Sequence, residues 1–153
     1  MNVRKGFAAL CLLPVLAVAA PEPQPALKPA DVVQMQLDAL RDNDAPSPNA
    51  GIATVFRFAS PPNRAQTGPL PRFTQMIREG YPDLLNHRQS KLFPLVTEAD
   101  HVVQPVEIVT HKGETFRYLF MLRQYDQPQG KCWMTDGVIG RPASAESAPK
   151  MQL

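Results

Sequence analysis

The chain has 153 residues, 44% hydrophobic, 20% charged and 7% aromatic, with 17 prolines and a formal charge of +2. That length suits one domain, and the charged fraction argues against wholesale disorder. The composition excludes a collagen-like chain, a disulfide-rich miniprotein and a polytopic membrane protein.

Residues 1–19 read as a secretory leader. Arg4 and Lys5 precede an apolar run from Phe7 to Ala20, which ends in the small-x-small pattern Ala17-Val18-Ala19. The run is shorter than the ~20 residues of a spanning helix, and Pro14 interrupts it. The expectation is therefore a secreted protein, periplasmic in a Gram-negative source, with no transmembrane segment after cleavage. Without Arg4 and Lys5 the 16 basic residues become 14, equal to the 14 acids. No charge excess remains to draw the protein to nucleic acid. Loss of Cys11 leaves Cys132 alone, so no intrachain disulfide can form. Next to Trp133 and Met134, it reads as a buried, unreactive thiol.

Residues 20–29 form a proline-rich linker, extended by composition. The folded domain spans about 30–141, and 142–153 reads as a flexible tail. A first amphipathic helix covers Asp31–Asn43, with Val33, Leu37 and Leu40 on one face and Val32 beside them. Asn49 can cap a second helix, Gly51–Ala59, whose apolar face is Ile52, Val55, Phe56 and Ala59. Ser60–Gly68 reads as a loop, because Pro61-Pro62 cannot continue a helix. A third helix spans Pro69–Glu79, with Thr67 as a possible cap and Gly80 at its end. One further helical turn follows at Tyr81–Leu85.

The pattern then changes to period two. Strands are expected at Ser90–Glu98 and His101–Thr110, each interrupted by a proline. The clearest strand is Glu114–Tyr125, where Phe116, Tyr118, Phe120 and Leu122 alternate onto one face. A five-residue hairpin loop, Asp126–Gly130, leads to the last strand, Lys131–Ile139. Helices first and an antiparallel meander after them predict an α+β fold, with N-terminal helices packed on a curved sheet. Such a sheet can enclose a ligand cavity.

The segments VVQMQLDALRDND, AGIATVFRFASPPNRAQTGPLPRF, YPDLLNHR and CWMTDGV resemble the family called domain of unknown function 4864, DUF4864. The resemblance covers roughly 31–138, and FRFASPPNRAQTGP is its most specific part. The family is similar in outline to the nuclear-transport-factor-2-like (NTF2-like) cone fold, which agrees with the element order. It has no established activity, so the resemblance implies no catalytic residue.

No catalytic, nucleotide or metal motif stands out, and no cofactor is expected. His87, His101 and His111 have no zinc-type partner at short spacing. His111 falls in a turn and His101 at a strand start, while His87 falls near the helix–sheet junction. Asp136, on the same face as Cys132, Met134 and Val138 by alternation, reads either as a general base in a cavity or as a turn or bulge carboxylate bonded locally. Arg57 and Arg64 bracket the Phe58–Asn63 segment. They can clamp an anion, or one can pair with an acid such as Asp136. Tyr81, Tyr118 and Trp133 read as pocket lining or as core. The leading expectation is a non-catalytic module that binds a small ligand or a protein partner, a second copy through its sheet being one such partner. The alternative is a small-molecule isomerase, hydratase or hydrolase using Asp136 as base, assisted by His87 or Tyr118.

Overall fold

The computed structural model describes residues 19–142. The expected leader, except Ala19, and the tail beyond Pro142 lie outside them. Helix α1, Pro29–Arg41, starts where Asp31 Oδ2 accepts from the Lys28 amide at 2.9 Å. Its stripe of Val32, Val33, Leu37 and Leu40 is buried as expected, and Gln36 is buried with it. Helix α2, Ala50–Phe58, lies across α1. Its cap comes from elsewhere: Asn43 Oδ1 accepts from the Ile52 amide at 3.1 Å. Asn49, the expected cap, sits in the left-handed region at φ 61°, and its side chain accepts from Arg78 at 2.9 Å. Phe58 takes the core place expected of Phe56, which instead stacks at 5.0 Å on Phe73.

The expected Ser60–Gly68 loop is a helix, α3, Pro61–Thr67. Both prolines occupy its first turn, where no intrahelical N–H is needed, and Ser60 Oγ accepts from the Asn63 amide at 3.3 Å. Thr67, the possible cap of the next helix, ends α3 instead and donates to the Asn63 carbonyl at 2.8 Å. Helix α4, Leu70–Gly80, buries Phe73 and Ile77, and a 3-10 turn at Pro82–Leu84 follows.

The sheet is antiparallel, in the order β1-β3-β4-β5, with β2 beside β1 on the same edge. Its strands are β1 Gln89–Leu92, β2 Val96–Thr97, β3 Val102–Val109, β4 Thr115–Gln127 and β5 Gly130–Pro142. The first expected strand is thus two short ones, broken around Pro94. Pro105 sits opposite that break in a strand paired on both sides. Its carbonyl accepts from the Phe93 amide at 3.0 Å, so its missing N–H faces the same edge, where the neighbouring strand interrupts its pairing. The buried Gln104 amide supplies the donor instead, to the Phe93 carbonyl at 2.6 Å. The β4–β5 loop shrinks from five residues to Pro128 and Gln129, because pairing continues to Gln127 opposite Gly130.

Val102, Gln104, Val106 and Ile108 of β3, and Tyr118, Phe120 and Leu122 of β4, form a buried inner face. Helix α1 packs on that face against β1, β3 and β5. Its Gln36 amide donates at 2.9 Å to the Thr135 hydroxyl of β5, a polar contact fully inside the core. The fold is α+β, with four helices on one face of an open antiparallel sheet.

Residues 21–25 are tied to the domain. The Pro21 carbonyl accepts from Arg57 Nε at 3.3 Å, Glu22 pairs with the same nitrogen at 3.2 Å, and Gln129 donates to the buried Pro23 carbonyl at 2.7 Å.

Candidate functional site

The two arginines expected to clamp an anion hold the fold together. Arg64 reaches back from α3 to the end of α2, donating to the Ala59 carbonyl at 2.8 Å and the Arg57 carbonyl at 2.7 Å. Its guanidinium also covers the Phe56 ring, 5.6 Å from the centroid. A cation at a helix C-terminus satisfies carbonyls that have no intrahelical partner. Arg57 bonds Thr54 Oγ1 at 2.8 Å in addition to the N-terminal segment. Neither arginine pairs with Asp136; Arg123 does. Between them, Ala59 and Ser60 run along the edge of β5, where the Thr135 carbonyl accepts from Ser60 N at 2.9 Å and Asn63 Nδ2 at 3.1 Å.

Asp136 is the extra residue of a β-bulge: Met121 pairs with Gly137 and Leu122 with Thr135, leaving it unpaired. The bulge moves Val138 to the inner face, away from the face it was expected to share with Asp136. The Asp136 carboxylate points toward Tyr125 and Arg123 of β4, and the Tyr125 hydroxyl also reaches Ser60 at the start of α3. Tyr125 O–H donates to its Oδ1 at 2.6 Å, and Arg123 Nε lies 3.2 Å from its Oδ2. Burial, and then the donated bond to Asp136, raise the Tyr125 pKa.

His87 is buried at the helix–sheet junction. Its Nδ1 faces the Leu84 carbonyl at 2.8 Å, its Nε2 has no partner, and burial lowers its pKa. Its neighbours are Leu84 and the end of α1, and none of its contacts is with Asp136. Tyr81 donates to the Val138 carbonyl at 2.9 Å and stacks 6.4 Å from Tyr118. Burial pushes the Tyr118 hydroxyl up to about 12, and its ring covers Gly140 across the strand pair. Cys132 is fully buried, which raises its thiol pKa.

Two features gather residues that sequence reasoning left apart. The first is a cleft of about 500 Å³ between the β2–β3 turn and the far end of the β4–β5 hairpin. Glu98, Asp100, His101, Arg123, Gln124 and Trp133 line it. Asp100 joins His101 Nδ1 at 2.8 Å to Arg123 at 3.1 Å, so a chain of polar contacts runs from His101 through Asp100, Arg123 and Asp136 to Tyr125. The second is the outer face of the sheet. Strand register sets Val96, Val103, Met121 and Gly137 in one row, and Pro105, Leu119 and Ile139 in the next. Val96, Leu119 and Ile139 are 46%, 43% and 48% exposed. Their only signal in the sequence is that β4 carries Leu119 and Met121 between its core residues, making the strand apolar on both faces.

The domain of unknown function DUF4864 matches residues 24–148. The chain belongs to the DUF4864 family. No curated protein and no solved structure matches it. In this DUF4864 domain, FRFASPPNRAQTGP is the α2–α3 corner fixed by Arg64, Ser60 and Asn63. The segment that carried the resemblance thus serves the architecture. Among the described residues, no three His, Cys, Asp or Glu side chains converge as a metal site, and no helix is long and apolar enough to cross a membrane.

Proposed function

We propose that the DUF4864 domain is an exported, non-catalytic interaction module of the NTF2-like cone type, and that it pairs with a second copy through the outer face of its sheet. The observation that carries this is the double apolar row on that face. Single exposed hydrophobic residues are ordinary, but a contiguous apolar face marks an interaction surface. The leader in the sequence supports export, and helices on one face of an antiparallel sheet support the cone likeness.

A second copy fits because both borders of the rows carry both signs. Glu107 and Arg117, 3.5 Å apart, flank one side; Arg123, Asp100 and Asp136 flank the other. These charges pair within each copy, so a two-fold contact can bring the same apolar rows of both copies together. The general-base alternative has less support. The carboxylate of Asp136 is held by Tyr125 and Arg123, and none of the contacts of His87 is with it.

Sedimentation of the exported chain tests the reading. The wild type is expected as a dimer at micromolar concentration. Leu119→Glu, at an exposed position, should weaken dimerisation at least tenfold, about 1.4 kcal/mol, with an unchanged circular dichroism spectrum. A wild type that stays monomeric at every concentration overturns the proposal.

A further inference from the structure

We propose that the cleft between the β2–β3 turn and the β4–β5 hairpin binds a small organic cation, with its ammonium group beside Glu98 and Asp100 and its body against Trp133. The cleft opens beside the two apolar rows: Asp100 and Arg123 border the pairing face as well, whereas Glu98 and Trp133 belong to neither row. The volume, about 500 Å³, suits a metabolite-sized molecule.

Charge selects the ligand class. Asp100 and Glu98 line the cleft, and Asp136 lies just behind Arg123. Against these three acids stands one arginine. His101 adds at most one positive charge, so the balance is negative whether or not it is protonated. Arg123 is bracketed, with Nη2 3.1 Å from Asp100 and Nε 3.2 Å from Asp136. An incoming anion would have to displace a carboxylate that already holds the guanidinium. Glu98, by contrast, has no ion pair among the described residues. An exposed aspartate is already ionised at neutral pH, and the hydrogen bond from His101 lowers the Asp100 pKa further.

Trp133 supplies the second half of the recognition. It is half-buried and packs against the core, so its ring is a fixed wall. An indole is the best aromatic partner for a cation, and a cationic ligand gains most where acids stand beside the ring. Gln124, opposite Trp133 in the strand register, offers a neutral donor and acceptor at the same wall.

Trp133 is the chain's single tryptophan, so its fluorescence reports on the cleft directly. The exported chain is titrated with tetramethylammonium and phenethylammonium, with tert-butanol as a neutral control and acetate as an anionic one. A saturable change is expected with the ammonium ions and with neither control. Calorimetry on Glu98→Gln, an exposed position, should show about tenfold weaker binding, and Trp133→Phe should retain part of the affinity. Leu119→Glu should bind as the wild type does, which separates this site from the pairing face. Equal binding of tert-butanol or acetate overturns the assignment. So does an absence of ammonium saturation at tens of millimolar, or a Glu98→Gln variant with unchanged affinity.

Discussion

His87 shows how burial turns one side chain into a pH-sensitive element. It is 2% exposed, with Nδ1 facing the Leu84 carbonyl and Nε2 facing no acceptor. The neutral ring fits this site, donating from Nδ1. Protonation would add a second N–H that finds no partner, and burial is the main reason its pKa falls below 6.5. The bond to the Leu84 carbonyl opposes that lowering most, Arg41 at the end of α1 adds to it, and Asp38 and Asp42 oppose it. A depressed histidine pKa means that the unfolded chain binds the proton first. Stability from this group is therefore complete above pH 6.5 and is lost as pH falls from there through the folded pKa. Each unit of lowering is worth about 1.4 kcal/mol at most. Urea unfolding at pH 7.5 and 5 should show a smaller acid loss for His87→Phe than for the wild type. Equal losses would mean that the ring escapes to solvent before it titrates. The sequence showed His87, Arg57, Arg64 and Asp136 as residues of interest by chemical type. It did not show their partners, which lie on other elements.

At the scale of elements, the α1–α2 contact depends on one glycine. A Cβ on Gly51 would meet the Ala39 carbonyl oxygen and would lie 2.9 Å from the Asn43 Cα, both backbone atoms that cannot rotate away. Gly51→Ala should therefore destabilise the fold by at least ~1–3 kcal/mol, the usual range for overpacking. Gly80, the last residue of α4, meets nothing within 4 Å at the same position. Gly80→Ala should gain up to ~1 kcal/mol from helix propensity and reduced chain entropy. Denaturant midpoints of the two variants should move in opposite directions; a shared direction would sink the close-approach argument. Glycine in a helix reads as a local weakness from sequence alone, and only the crossing of two helices separates these two cases. The same holds for α3. Two adjacent prolines read as a break, yet they form a helical first turn once Ser60 caps it and Arg64 folds it back on α2.

For the whole molecule, the segment before α1 belongs to the folded unit. Proline content indicates an extended chain but says nothing of where it lies. In the structure it bridges α2 and the β4–β5 turn, through Arg57 on one side and Gln129 on the other. A chain beginning at Ala26 loses these bonds, worth roughly 1–2 kcal/mol net. For a domain of this size its melting temperature should drop by about 3–8 °C. An unchanged melting temperature would show the segment to be a free spacer. The proposed pairing face and the proposed cation cleft also belong to this scale, because each surface is assembled from several strands.

The sequence by itself determined the order of helices before strands and the core stripes of α1 and β4, but not helix α3 or the split of the first strand. Helical and strand periodicities are local, and the apolar positions of α1 and β4 record which side is dry. It also determined the α+β class, since helices precede an antiparallel meander. The tertiary structure decided everything that depends on contacts distant along the chain. The bulge at Asp136 reverses the facing of all later residues in β5, a change that alternation cannot register. Arg64 is consumed by carbonyls at the end of another helix, and the cleft exists only because Asp100, Arg123 and Trp133, from separate strands and a turn, meet there. Side-chain chemistry is encoded residue by residue, but the partner that gives it a role is set by packing.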